Sequence, residues 1–296
     1  SGAPVWNSPT LDPDNNRLFF GSGENYSTPA DGNSDAIFAV RMDNGKRLWT
    51  RQVFAGDAWN VACMMSVTHP NCPKEQGPDY DQGSSPLLVK TEGGDLIVAG
   101  HKDGSVVAYD AATGADRKWV AKVGRGSIQG GVHFGMAAEG PRIYAPINDM
   151  NDTRNGDVLE PALARPGVHA IDANSGEVTW SHVQENLCGD DRPLCDPGVS
   201  APLTALPDAV IAGHLDGHVR AYDGIDGSVL WDYDTNRTFE TVNGIAASGG
   251  GMSGAGATVA RGHVIINSGY GLYFHEPGNV LLVFAPEDEP KISAAD

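Results

Sequence analysis

Positive charge is what this chain most conspicuously lacks. Its 20 Lys and Arg face 38 Asp and Glu, a formal net charge of −18. A surface of that sign repels phosphate backbones and anionic headgroups, which excludes nucleic acid as a partner held by charge. Long apolar runs are missing too. None approaches the roughly 18 residues of a membrane span, so no membrane-crossing helix is expected. The four cysteines include no CxxCH, which excludes covalent haem attachment within these 296 residues. The nine histidines form no HExxH, and the Gly-Met-Ser-Gly run at 251–254 lacks the frame of a nucleophile elbow. With 38 Gly the chain is too glycine-rich for a helical bundle, and its tryptophans and apolar content argue against disorder. Ser1 is not an initiator and no signal pattern precedes it, so a mature chain or a fragment is expected.

The cysteines fall in two local pairs, Cys63 with Cys72 and Cys188 with Cys195, each in a polar loop. Such pairs read as disulfides and therefore as an oxidising compartment, the periplasm or the exterior of a cell. A single four-Cys metal site is the alternative, although no CxxC is present.

What the chain has in abundance is repetition. Leu96–Gly114, LIVAGHKDGSVVAYDAATG, is echoed by Ala209–Gly227, AVIAGHLDGHVRAYDGIDG, and more loosely at 36–49 and 167–180. Four copies close on tryptophan: Trp49, Trp119, Trp180 and Trp231. A fifth copy, VLLVFAP at 280–286, loses that ending. Apolar alternation over five to seven residues, bounded by Gly and Asp, predicts strands joined by tight turns. Each unit then reads as four strands, and radial repetition of such units predicts an all-β fold, a β-propeller of four-stranded antiparallel blades. Blades start near residues 6, 84, 131, 200 and 254 of a single domain, 1–296. Five blades are visible, and the reading is of an incomplete larger propeller whose first blades lie upstream. The four tryptophans are expected to plug each blade onto the next rather than to do chemistry.

Repeat length varies because insertions follow the second and fourth strands. In an up-and-down blade both of those connections lie on one face, where function concentrates in loops on a rigid scaffold. That face collects Trp6, Glu24, Asn25, Asp79, Asp81, Lys102, Asn148 and Asp149. Solvated loop residues are the plainer reading of each. Yet the repeat partner of Lys102 is Leu215, so the turn itself does not require lysine. Together they set hard oxygen ligands, a carboxylate base, a cation and a flat indole around one channel mouth.

These segments resemble the pyrroloquinoline quinone (PQQ) dependent alcohol dehydrogenases, and most closely their polyvinyl alcohol dehydrogenase-like branch. WNSPTLDPDNNRLFFGSGENYS, GDAWNVAC, GPDYDQGSSP, GGVHFGMA and GHLDGHVRAYD carry the likeness along nearly the whole chain. The resemblance implies a bacterial, periplasmic or secreted quinoprotein that oxidises an alcohol substrate, secondary or polymeric. Hydride would pass to a quinone carbonyl polarised by Ca²⁺ or a lanthanide, and electrons would leave to a cytochrome c. It implies that Trp6 lies under the PQQ ring and that Lys102 contacts the quinone carbonyl. Glu24 or Asn25 would coordinate the metal. Asp79 would be the catalytic base and a metal ligand, with Pro78 in place of the family's tryptophan. Asp81 would add a carboxylate to the metal, and Asn148 would contact the cofactor. Asp57-Ala58-Trp59-Asn60 is a rival alignment for the base motif, but Asn60 cannot act as a base. The family's vicinal cysteines and a second metal carboxylate would lie upstream of Ser1. The competing reading is a non-catalytic propeller of the same repeats, a protein-binding scaffold. Convergence of Trp6, Glu24, Asp79 and Lys102 would favour the enzyme.

Overall fold

A computed structural model describes residues 2–115, 117–150, 159–271 and 275–286. Within them the regular secondary structure is β-strand apart from the short helix α1 (Ala62–Met65) and two single 3₁₀ turns. The first sheet contains β1 (Thr10–Asp12), β2 (Arg17–Gly21), β3 (Ala36–Arg41) and β4 (Arg47–Gln52). The second holds β5 (Leu87–Thr91), β6 (Gly94–Gly100), β7 (Ser105–Asp110) and β8 (Trp119–Lys122). The third holds β9 (Ala137–Glu139), β10 (Arg142–Ile147), β11 (Gly167–Asp172) and β12 (Val178–Val183). The fourth holds β13 (Thr204–Leu206), β14 (Ala209–Gly213), β15 (His218–Asp223) and β16 (Val229–Asp234). A small hairpin, β17 (Thr238–Glu240) with β18 (Ala246–Ser248), precedes a fifth sheet of β19 (Thr258–Ala260), β20 (His263–Ser268) and β21 (Val280–Phe284). All ladders are antiparallel between sequence neighbours, and β1, β5, β9 and β13 approach one another in that order. This is the propeller blade arrangement.

The repeat residues explain themselves in this frame. The Asp that ends the third strand of the second, third and fourth sheets accepts the amide hydrogens of the following turn: Asp110 from Ala112 and Thr113, Asp172 from Asn174 and Ser175, Asp223 from Ile225 and Asp226. Each repeat Trp pairs across its hairpin with an alanine, Ala39, Ala108, Ala170 or Ala221, whose small side chain leaves room for the indole. Three of the indoles then reach the next blade. Trp49, Trp119 and Trp180 donate to the carbonyls of Ala111, Ala173 and Gly224 at 3.3, 2.8 and 3.0 Å. They lie flat over Gly114, Gly176 and Gly227, where a Cβ would come within 2.5–2.6 Å of the ring. The apolar cores accordingly sit between blades: Phe19, Ile37 and Trp49 pack with Ile97 and Val107, and Val98, Val106 and Trp119 with Ile143 and Ile171. Trp231 is only half-buried and packs edge-on against Phe284.

Both expected disulfides form, Cys63–Cys72 and Cys188–Cys195, which closes the four-Cys metal alternative. No helix among the described residues is long and apolar enough to cross a membrane. Trp6, expected to open the first strand, lies ahead of it: β1 begins at Thr10.

Candidate metal and cofactor site

Four connections converge at one cavity. The β2–β3 connection brings Glu24 and the long β4–β5 connection brings Asp79 and Asp81. The β6–β7 turn brings Lys102, and the β8–β9 loop brings Ile128, Gln129 and His133. Trp6 lines it as well. The cavity has a volume of about 420 Å³, and Tyr26, Trp59, Val61 and Met64 supply much of its apolar wall.

Backbone hydrogen bonds explain why these loops meet. Gln82 N–H donates to the Ser22 carbonyl and Lys102 N–H to the Asp81 carbonyl, both at 3.2 Å. The Gln82 amide also donates to the Gly100 carbonyl at 2.6 Å. Residues 81–82 are therefore pinned between the loop of Glu24 and the turn of Lys102. Gly83 lets the Trp6 ring approach, since a Cβ there would stand 2.2 Å from the indole. The indole meets His133 and Phe134 edge-on, and its Nε1 donates to Asp81 Oδ1 at 3.3 Å.

At the centre stand three carboxyls and one ammonium. Glu24, Asp79 and Asp81 are buried and each brings an oxygen within 4.8 Å of the other two. Among the described residues no other trio of His, Cys, Asp or Glu side chains is so placed. Lys102 Nζ lies 2.6 Å from Asp81 Oδ2 and 3.2 Å from Asp79 Oδ2. Asp81 Oδ1 also accepts from Glu24 N–H at 3.2 Å.

This crowding distributes protons unevenly. Burial, then Asp81 and Asp79, push the Glu24 carboxyl up to about 11. Burial and the neighbouring Asp81 and Asp57 hold Asp79 well above the ordinary carboxylate range despite Lys102. Burial would also raise Asp81, but Lys102 and the hydrogen bonds from Glu24, Lys102 and Trp6 outweigh it and keep Asp81 ionised. The lysine, which burial alone would push down, is held above its usual value by Asp79 and Asp81. Burial and then Lys102 push His133 down to about 3, so its imidazole is neutral; its Nδ1 lies 2.8 Å from Ser200 Oγ. Three carboxyls facing a single ammonium form a donor set that fits a hard cation, which can replace the protons the group otherwise needs.

The expected site residues divide accordingly. Trp6, Glu24, Asp79, Asp81 and Lys102 line the same cavity. Asn25 is not among its lining residues; its Oδ1 accepts from the Asp31 amide at 2.8 Å. Asn148 is also absent from the lining. It is fully buried, with neither side-chain polar atom hydrogen-bonded, and its Oδ1 would stand 2.7 Å from a Cβ at Gly198. Asp149 is structural, accepting from the amides of Arg125, Gly126, Gly131 and Arg165. Residue-by-residue reasoning had not singled out Tyr26, Trp59, Gln129 and His133. Trp59 and His133 did stand in the segments GDAWNVAC and GGVHFGMA, and that was the signal for them.

Residues 91–276 match the PQQ-type repeat family described as outer membrane protein assembly factor BamB. Over 296 residues the chain is 35% identical to a polyvinylalcohol dehydrogenase of a Pseudomonas species, covering 96% of this chain and 45% of that protein. A polyvinylalcohol dehydrogenase of Sphingopyxis sp. strain 113P3 is 32% identical, with the same two shares covered. The chain thus spans less than half the length of these relatives. A solved europium-containing methanol dehydrogenase superposes with a TM-score of 0.61 at 15% identity, over 94% of this chain and 52% of that one, a likeness of fold.

Proposed function

This chain belongs to the PQQ-type repeat family of β-propellers, and we propose that it carries the metal and catalytic-base portion of a bacterial quinoprotein alcohol dehydrogenase. The observation that carries this reading is the convergence of Glu24, Asp79, Asp81 and Lys102 on one cavity beside Trp6. The polyvinylalcohol dehydrogenases it resembles at 32–35% identity support the same activity class. Alcohols are the substrate, secondary or polymeric ones foremost. PQQ and Ca²⁺, or a lanthanide in its place, are the cofactors, and cytochrome c the acceptor, in an oxidising compartment such as the periplasm.

When bound, PQQ supplies the two-electron acceptor and the cation the Lewis acid. The chain's own residues then have separate tasks. Glu24, Asp79 and Asp81 hold the cation by carboxylate oxygens. Asp79, ionised when the cation takes the place of its proton, takes the hydroxyl proton of the alcohol at its carboxylate. Lys102 keeps fixed positive charge where negative charge develops, without reorganisation at the moment of reaction. Trp6 offers an indole face to a flat ring, and neutral His133 packs against its edge. Trp59, Val61, Met64 and Ile128 line the cavity with apolar surface that excludes water from the proton transfer.

The scaffold reading draws on the description of the family match. A buried trio of carboxyls around one lysine is not needed for it, and that favours the enzyme. Reconstitution tests the choice. Purified protein is loaded with PQQ and Ca²⁺ and assayed for dye reduction with a secondary alcohol, with Asp79→Asn alongside. Alcohol-dependent turnover that falls about 10²-fold or more in the variant is expected, the scale of losing a positioned base. Absence of PQQ binding in the folded protein would turn the reading to the scaffold.

A further inference from the structure

Asp57 stands behind the cluster and outside the cavity. Its side chain is fully buried, and it is not among the residues that line the cavity. Both of its carboxylate oxygens are engaged by consecutive amides: Oδ1 accepts from Asp79 N–H at 3.2 Å and Oδ2 from Tyr80 N–H at 2.7 Å. Asp79 itself has φ +60°, a left-handed conformation uncommon outside glycine. Such a backbone persists only where its surroundings over-determine it.

The backbone around Asp57 joins the two loops that supply the carboxyls. Asn25 N–H donates to the Asp57 carbonyl at 3.1 Å and Trp59 N–H returns to the Asn25 carbonyl at 2.9 Å, a parallel bridge beside Glu24. Gly77 N–H donates to the Ala58 carbonyl at 3.0 Å, just ahead of Asp79. The fit is tight: a Cβ at Gly77 would stand 2.1 Å from Asp57 Oδ1 and 2.5 Å from its Cα.

We propose that Asp57 is a positioning residue for the oxidation, resting on the reading of Asp79 as base and metal ligand. Its carboxylate clamps residues 79 and 80 in the left-handed turn and so sets where the Asp79 carboxyl stands relative to Glu24 and Lys102. A carboxylate is required because two N–H donors need two acceptors. Asparagine offers one acceptor oxygen and turns an NH₂ toward the other donor. Asp57 is not itself the base, since both oxygens are held by amides away from the cavity.

The test compares the intact protein with Asp57→Asn, Gly77→Ala and Asp79→Asn. Gly77→Ala removes no carboxylate and disturbs Asp57 only by contact. Three quantities are measured: kcat and KM in the PQQ–Ca²⁺ dye assay, and the affinity for Tb³⁺ in the PQQ-free protein, read by terbium luminescence. Asp57→Asn and Gly77→Ala are expected to lower kcat and weaken Tb³⁺ binding by about 10- to 100-fold each, the usual cost of losing a group that orients a metal ligand, with KM nearly unchanged. Parent-like kcat and Tb³⁺ affinity in folded Asp57→Asn, with Asp79→Asn inactive, would overturn the positioning role and leave the base reading standing. Full turnover in Asp79→Asn would instead overturn the base reading, and this inference with it. Should Asp57→Asn fail to fold, Gly77→Ala decides by the same two readouts.

Discussion

Replacing Lys102 by methionine keeps the length and apolar stem of the side chain and deletes its ammonium. In the folded chain that ammonium is 2.6 Å from Asp81 and 3.2 Å from Asp79, and only 3% of the residue is exposed. With an effective dielectric of about 20, the separation from ionised Asp81 corresponds to an attraction of roughly 6 kcal/mol. Most of that is offset by the several kcal/mol per ion needed to take the charges out of water. Deleting one partner is different from never having the pair, because the carboxylates stay buried after their counter-charge has gone. The expected cost is about 3–5 kcal/mol, a large share of the roughly 5–15 kcal/mol that holds a domain folded. Urea unfolding in EDTA reads this directly, as a lower midpoint at unchanged slope. Ca²⁺ is expected to recover part of the loss in the variant, since a divalent cation on the same oxygens stabilises by mass action. A Lys102→Met protein within about 0.5 kcal/mol of its parent in EDTA, the scatter of ordinary surface substitutions, would refute the claim that this lysine holds the carboxyls together.

Stability in EDTA should also fall as pH rises. Glu24 and Asp35 are pushed up to about 11 and about 10, in both cases chiefly by burial, so the folded chain keeps two protons that the unfolded chain gives up above the ordinary values of 4.5 and 3.8. The folded state binds more protons across that window, and each group contributes a downward slope of up to about 1.4 kcal/mol per pH unit; above about pH 7.5 the buried His133, His169 and His214, neutral in the fold, no longer oppose it, so a urea midpoint that is flat or rising between about pH 7.5 and 9 would contradict it. Gly114→Ala should destabilise by about 1–3 kcal/mol, because it adds a Cβ 2.5 Å from the Trp49 ring at φ +58°, and thermal unfolding checks it. Reducing the Cys63–Cys72 bridge, nine residues apart, should cost about 2–3 kcal/mol by chain entropy. It should also loosen the wall formed by Trp59 and Met64, seen as a change in tryptophan emission on mild reduction.

The blades were legible in the sequence because everything that makes a blade is local. An apolar strand, an Asp that caps its own turn, a glycine two to four residues on and a closing Trp all act within about 20 residues, and the repetition of that set names the fold. The tryptophan contacts are between blades, but their partner is the same turn of the next repeat, so one repeat predicts the next. The meeting place of the polar loops was legible for a similar reason: insertions after second and fourth strands must gather on one face. Glu24, Asp79, Asp81 and Lys102 were picked on that basis and Trp6 as the opening of the first strand, with the family likeness assigning the roles proposed for them.

Tertiary structure decided which polar groups actually meet. Glu24 and Asn25 are neighbours in sequence, yet only Glu24 reaches the cavity, because Asn25 is drawn to the Asp31 amide and to the strap around Ala58. Asn148 shares the same face and stays out of the lining. Asp57 entered only through the alignment that set Asn60 as a rival to Asp79. The structure places it behind Asp79, where the amides of residues 79 and 80 claim both of its oxygens. Such choices depend on contacts between loops 21 to 75 residues apart, as in Lys102 with Asp81 or Trp6 with Asp81. Hydrophobic period and turn chemistry say where a strand begins and ends. They say nothing about which of two adjacent side chains finds a donor across the channel, and only the closed loops settle that.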